Sequence, residues 1–332
     1  MRRTWLRITG AVVAAPIAVT AGQMYFIRAK FKLPPDAEGP LEGVELAPTA
    51  VKPSWFASLG WTHQARPRRN IVFLGDSIVT GVGCSPEACR ENGPILPRRV
   101  ASLLAEHLGV DVGWAALGET GADVHSMRDR LLPSLQEAQQ KMQSSGEGRV
   151  DAVIILTGCN DLKECFLFAK PHTHHPWAFF QHLTSLLGTI CDVAGDPVAV
   201  LVAGTPFDAV PRFNKFWPFS IAINRTVAIW EDQKEMAVTA AQALRDEQAV
   251  ARAKALPPQP TQPTQPNKQQ KSGSSIAFVP PPPGMVERLL DGADYFAADG
   301  MHPNDTGYAI WADVIAERLI REFQGMGLSH SE

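Results

Sequence analysis

The stretch Val150–Thr157 (VDAVIILT) limits the fold more than any other part of the chain. After Asp151 it is an apolar, β-branched run with no polar alternation, so neither face of a strand built from it can meet water. Such strands belong to parallel sheets covered by helices on both sides. Further apolar runs stand at Ile71–Leu74, Val110–Leu117, Pro197–Ala203 and Ile276–Val279. Helix-spaced segments separate them, near Leu96–Leu108, over 123–143, around 177–193 and from Ile221 to Lys254. The alternation predicts an α/β domain, a doubly wound parallel sheet between two layers of helices. In such sheets ligands bind beyond the carboxyl ends of the strands, so those ends hold the candidates for function.

The pattern places this domain over 70–325, and the remainder reads as additions to it. Residues 8–27 carry no charge and match the length of a bilayer-spanning helix. Arg2, Arg3 and Arg7 precede them, Arg28, Lys30 and Lys32 follow, and the first acidic residue is Asp36. Three readings of residues 1–32 stand side by side: a membrane anchor, a secretory signal peptide with small residues near Ala21, and a basic organellar (mitochondrial) targeting peptide. The expected location is therefore membrane-anchored or secretory, with an organelle as the alternative. Residues 33–69, rich in Pro, Gly and Ala, read as a linker. Residues 256–274 (LPPQPTQPTQPNKQQKSGS) hold too little apolar surface to offset their ordering entropy, and a disordered insertion within the one domain is expected. The alternative is a proline-rich ligand for a partner.

Composition removes several classes. Hydrophobic residues at 45% and charged residues at 20% fit a globular core. A formal net charge of -3 gives no basis for a nucleic-acid partner. Five cysteines without a CxxC pair speak against a zinc ribbon or a thioredoxin-like site. Cys84 and Cys89 read equally as a disulfide of an oxidising compartment and as two free thiols.

Gly75-Asp76-Ser77 follows the first apolar run. Glycine permits a tight turn, and the serine then opens a helical segment with its hydroxyl exposed and its own N–H free. One residue can thus be nucleophile and oxyanion donor. Gly118, closing the second run, lets a substrate carbonyl approach its backbone N–H, although a plain strand-to-helix turn uses glycine as well. Asn160, after VDAVIILT, is a candidate oxyanion donor and Asp161 a helper that fixes the loop, while Asn-Asp is also common turn chemistry. Asp299 stands three residues before His302, close enough to hold one ring nitrogen and leave the other as a base toward the serine. Each motif alone is weak. Their ordered placement at the joints of one sheet is not a chance pattern.

The segments LGDSIVTGVG, LGETGAD, LTGCND and DGMHPN, in that order, resemble blocks one, two, three and five of the SGNH hydrolase superfamily, also called GDSL esterases or lipases. The resemblance covers about residues 70–318. It implies a flavodoxin-like three-layer α/β/α sandwich with a five-stranded parallel sheet, and a serine ester hydrolase working through an acyl-enzyme with no cofactor or metal. Carried over by position, Ser77 is the nucleophile, Ser77, Gly118 and Asn160 form the oxyanion hole, His302 is the base and Asp299 its orienting carboxylate. Ala116 stands where many members carry asparagine, and Cys159 where a small or polar residue is usual. Both departures bear on substrate preference.

The ester itself is less legible, a lipid or a short-chain acyl ester. Phe207, Phe213, Phe216, Trp217 and Phe219 are candidates to line an acyl pocket, with Phe213, Phe216 and Trp217 foremost, and packing beneath a long loop is the alternative. His172, His174 and His175 lack a supporting carboxylate or cysteine pattern and read as a solvated loop, not a metal site. His107 and His125 read as ordinary helix residues. Two rival functions remain open: a carbohydrate O-acetylesterase, and a non-enzymatic membrane-tethered scaffold that recruits a partner through its Pro-rich loop.

Overall fold

The VDAVIILT segment forms β4 (Ala152–Leu156), buried along its whole length near the centre of a six-stranded sheet. The computed structural model describes residues 16–27, 29–30, 32–48, 68–166, 170–206, 210–255, 273–283 and 294–328. Phe207, residues 1–15 and nearly all of the 256–274 insertion lie outside the described residues.

The other strands are β1 (Glu42–Glu45), β2 (Arg68–Gly75), β3 (Asp111–Gly118), β5 (Ala199–Ala203) and β6 (Ser275–Val279), in the spatial order β1-β3-β2-β4-β5-β6. From β3 to β6 every pairing is parallel. Leaving β1 aside, the first parallel strand lies between the second and the third, the flavodoxin-like doubly wound order, whose switch point falls at the carboxyl end of β2.

The strand count corrects the expected five. β1 is a sixth strand, antiparallel to β3, and it comes from the segment expected to be a linker. Its residues alternate exposed and half-buried, and a short edge strand with one partner needs no apolar run to announce it. Gly43 is required there, because a Cβ would lie 2.9 Å from the Trp114 ring. On either side the chain is tied to the domain: Ala37 N–H donates to the Thr80 carbonyl (3.0 Å) and Ala47 N–H to Asp111 Oδ1 (3.0 Å). β2 likewise begins before the apolar run. Arg69 and Asn70 are held by the buried carboxylate of Asp151, through Arg69 Nη1 (3.2 Å) and Asn70 N–H (2.9 Å).

Helices flank both faces: α1 (16–27), α2 (Ile95–Leu108), α3 (Leu132–Ser145), α4 (Cys159–Phe166), α5 (Pro176–Ala194), α6 (Phe219–Ala255) and α7 (Asp305–Gly325). Strand periodicity sorts the core into two layers. Val72, Leu74, Val153, Ile155, Val200 and Val202 pack with α5 and α6 on one face. Ile71, Phe73, Ile154, Leu156 and Leu201 pack with α2 and α7 on the other. Each such side chain contributes about 1.5–3 kcal/mol over its exposed state.

Among the described residues no helix is long and apolar enough to cross a membrane. The described part of the expected anchor, α1, lies against the domain, with Ile27 buried and Met24 packed on the core.

Candidate active site

The turn after β2 is built around Asp76. Gly75 cannot carry a side chain, since a Cβ would stand 2.6 Å from the Leu156 carbonyl and 2.7 Å from Val79 Cγ2. Asp76 Oδ1 then accepts the Ile78 N–H (3.0 Å), and its carbonyl accepts Val79 N–H (2.9 Å). The segment after Ser77 is a series of hydrogen-bonded turns where a helix was expected. Burial pushes the Asp76 carboxyl above its ordinary range, against the Ile78 hydrogen bond that lowers it. Ser77 N–H has no protein acceptor among the described residues.

Ser77 Oγ lies 2.9 Å from His302 Nε2. On the far side of the ring, Nδ1 is 2.6 Å from Asp299 Oδ2. Asp299 Oδ1 also accepts the N–H groups of Met301 (2.9 Å) and His302 (3.1 Å), so one carboxylate shapes the loop and orients the ring. Burial raises the Asp299 pKa, but the His302 and backbone hydrogen bonds outweigh it and leave the carboxyl below its ordinary value. The ionised acid fixes the proton on Nδ1 and leaves Nε2 as acceptor from the serine.

The loop and the serine turn are clamped together by residues that the sequence patterns did not single out. Tyr308, on α7, donates to the Val82 carbonyl (2.7 Å), and Asp305 accepts from Ser85 N–H (2.7 Å). Gly83 makes the approach feasible: its φ is +97° and a Cβ would lie 2.5 Å from the Pro303 carbonyl. Arg212 adds a hydrogen bond to the Asp299 carbonyl (3.0 Å).

Gly118 is paired in register with Gly75 at the end of β3. A Cβ there would meet Thr80 Cγ2 at 2.9 Å and Val79 at 3.0 Å, so glycine is needed for strand end and serine turn to touch. Asn160 sits in the first turn of α4, buried. Its amide nitrogen donates to Asp76 Oδ2 (3.1 Å) and the Ala122 carbonyl (2.9 Å), and its oxygen accepts from Lys163 Nζ (2.6 Å). These partners fix the amide orientation and engage both of its hydrogens, so an oxyanion would have to share one of them. Asp161 accepts Val124 N–H through both oxygens (3.2 and 3.3 Å), tying the start of α4 to the segment after β3, and burial lifts its pKa to about 7.

A cavity of about 410 Å3 opens beside Ser77 and His302. Its walls include Met24, Leu162, Phe213, Phe219, Ile223 and Met301, with Lys163 and Thr205 among the few polar groups. Phe213 is therefore a wall residue. Phe216 instead packs on the core and against Phe26 (6.1 Å between ring centroids), and Trp217 is 72% exposed. Neither lines the cavity: both lie in the turn at 215–218 ahead of α6. Cys159 also lines it, with its thiol pushed up by burial. Beneath lies Lys234, fully buried, paired with Glu231 (2.7 Å) and bonded to Thr205 Oγ1 (2.9 Å). No periodicity signals a lysine on the inner face of α6. Gly158 is the one trace of it in the sequence: a Cβ there would stand 2.8 Å from Lys234 Cε.

The histidine-rich segment differs from the solvated loop expected. His174 is buried, and its Nε2 lies 2.9 Å from Asp123 Oδ2, a carboxylate that the local sequence could not supply. His175 caps α5 by accepting the Ala178 N–H (3.2 Å). Cys84 and Cys89 are both thiols, in contact with each other.

A hydroxyl, an imidazole and a carboxylate in relay, beside the Ser77 N–H at the sheet's switch point, have the arrangement of an acyl-transfer site. The chain belongs to the GDSL-like lipase/acylhydrolase family, whose profile matches residues 73–310, and it is a carboxylic ester hydrolase. Similar solved structures include LAE5, an α/β hydrolase from the metagenome of Lake Arreo, Spain, at 15% identity, covering 79% of this chain and 97% of that one with a TM-score of 0.42. Another is Axe2, an acetylxylan esterase from Geobacillus stearothermophilus, at 15% identity, covering 76% and 93% with a TM-score of 0.42. No curated protein matches.

Proposed function

We propose that the chain hydrolyses esters of apolar acyl chains through an acyl-enzyme on Ser77. The observation that carries this reading is the Ser77–His302–Asp299 relay opening onto an apolar cavity. His302 Nε2 takes the Ser77 proton as Oγ attacks the ester carbonyl, and Asp299 holds the imidazolium that forms. The N–H groups of Ser77 and Gly118 receive the oxyanion, joined by the Asn160 amide once it shares a hydrogen now given to Asp76 or Ala122. His302 then protonates the leaving alcohol, and water attacks the acyl-enzyme by the reverse path.

The cavity favours an acyl chain over a sugar. A sugar ring needs several convergent polar groups, and this wall offers chiefly aliphatic and aromatic side chains. A p-nitrophenyl ester series tests the reading: kcat/KM is expected to rise about tenfold or more from acetate to octanoate. A preference for acetate would remove the apolar-acyl proposal.

Asn160→Ala is expected to lower kcat by about 10²–10³, the effect of losing one oxyanion donor. Unchanged kcat would show that the two backbone donors suffice.

A further inference from the structure

We infer that α1 is a fixed wall of the acyl cavity and sets which acyl lengths Ser77 accepts. This rests on the proposed ester chemistry but assigns a new part of the chain to it. Thr20, Met24 and Ile27, spaced for one face of a helix, all line the cavity that contains Ser77 and His302. Thr20, Gln23 and Met24 are half-buried and Ile27 is buried, whereas Val19, Gly22, Tyr25 and Phe26 are exposed, so the inward face is defined along the helix.

The helix is held at that place by directional bonds as well as packing. Gln23 Nε2 donates to the Trp217 carbonyl (2.8 Å), and Gln23 Oε1 accepts the N–H of Phe219, the first residue of α6 (3.2 Å). A helix start leaves its first N–H groups without partners, and Gln23 satisfies one of them from another element. The same two-point contact sets Met24 and Ile27 opposite Phe219 and Ile223, which α6 contributes to the cavity. Leu33, beyond the helix, also lines it. Cleavage near Ala21 or transfer of this segment into a bilayer would strip one side of the cavity, so the working enzyme keeps α1 on the domain.

The test uses the full chain and two readouts. Met24→Trp narrows the cavity, and Met24→Ala enlarges it. For Met24→Trp, the ratio of kcat/KM on p-nitrophenyl decanoate to that on the acetate is expected to fall about tenfold or more. Met24→Ala is expected to shift the optimum toward longer esters. In parallel, decanoate binding measured by calorimetry is expected to weaken about tenfold in Met24→Trp. A parent that binds decanoate but hydrolyses no ester would defeat the proposed function and leave the wall assignment standing. Unchanged chain-length preference and decanoate affinity in both variants, with unchanged melting temperature, would overturn the assignment. Gln23→Ala is a milder variant for the case that tryptophan disrupts folding: a loosened wall blunts the length preference, and an unaltered preference counts against the inference.

Discussion

Ser77→Ala is expected to lower ester turnover by about 10⁴–10⁶, the range found when a relay nucleophile is removed from a site whose oxyanion donors remain. The fold should tolerate the change. The Ser77 carbonyl accepts the Val82 N–H (2.9 Å), and alanine keeps that bond and the backbone N–H. Only the Oγ contact with His302 is lost. The Cys159 thiol in the same cavity offers no rescue, because burial raises its pKa and keeps it protonated. Ser77→Ala and the Ser77→Ala/His302→Ala pair should therefore be about equally slow, since the residues act as one unit. Kinetics on p-nitrophenyl octanoate and labelling by a fluorophosphonate check this together. Near-parental turnover or continued labelling at the same site in Ser77→Ala would end the Ser77 mechanism.

The layers of the fold were legible where a residue's environment is the same on both sides. A strand covered by helices, such as β4, must be apolar throughout, and its sequence says so. β1 was not legible, because an edge strand of four residues with alternating exposure has the composition of a loop. The candidate catalytic residues were visible for a related reason: Ser77, Gly118 and Asn160 stand at or directly after the ends of strands, and Asp299 and His302 just before α7, so local position implies place in space. What closes the site comes from farther away. Tyr308 to Val82, Asp305 to Ser85 and Lys234 to Thr205 are long-range contacts between residues with no shared local pattern. The N-terminal segment shows the same limit. Apolar residues at 8–27 give one signal for a helix seeking lipid and for a helix seeking a protein surface; in the part described, Met24 and Ile27 pack on the domain.

Asp299→Asn is expected to cost about 10⁴ in kcat at neutral pH while leaving the fold near parental stability. The amide oxygen of asparagine can still accept the N–H groups of Met301 and His302, so the loop keeps its shape. At the Oδ2 position, however, the NH₂ group faces His302 Nδ1, where the parent has an acceptor 2.6 Å away. The ring then carries its proton on Nε2 and offers Ser77 a donor in place of a base. Asp299→Ala separates the two jobs of the carboxylate. It loses the ring contact and both loop hydrogen bonds, so its kcat should fall at least as far, with stability reduced by about 1–3 kcal/mol. Comparing kcat and urea denaturation for the two variants decides the matter. If the asparagine variant unfolds as readily as the alanine variant, the carboxylate charge itself is holding the loop. If it retains most of its turnover, the ring is oriented by its surroundings, and Asp299 serves the loop more than the base.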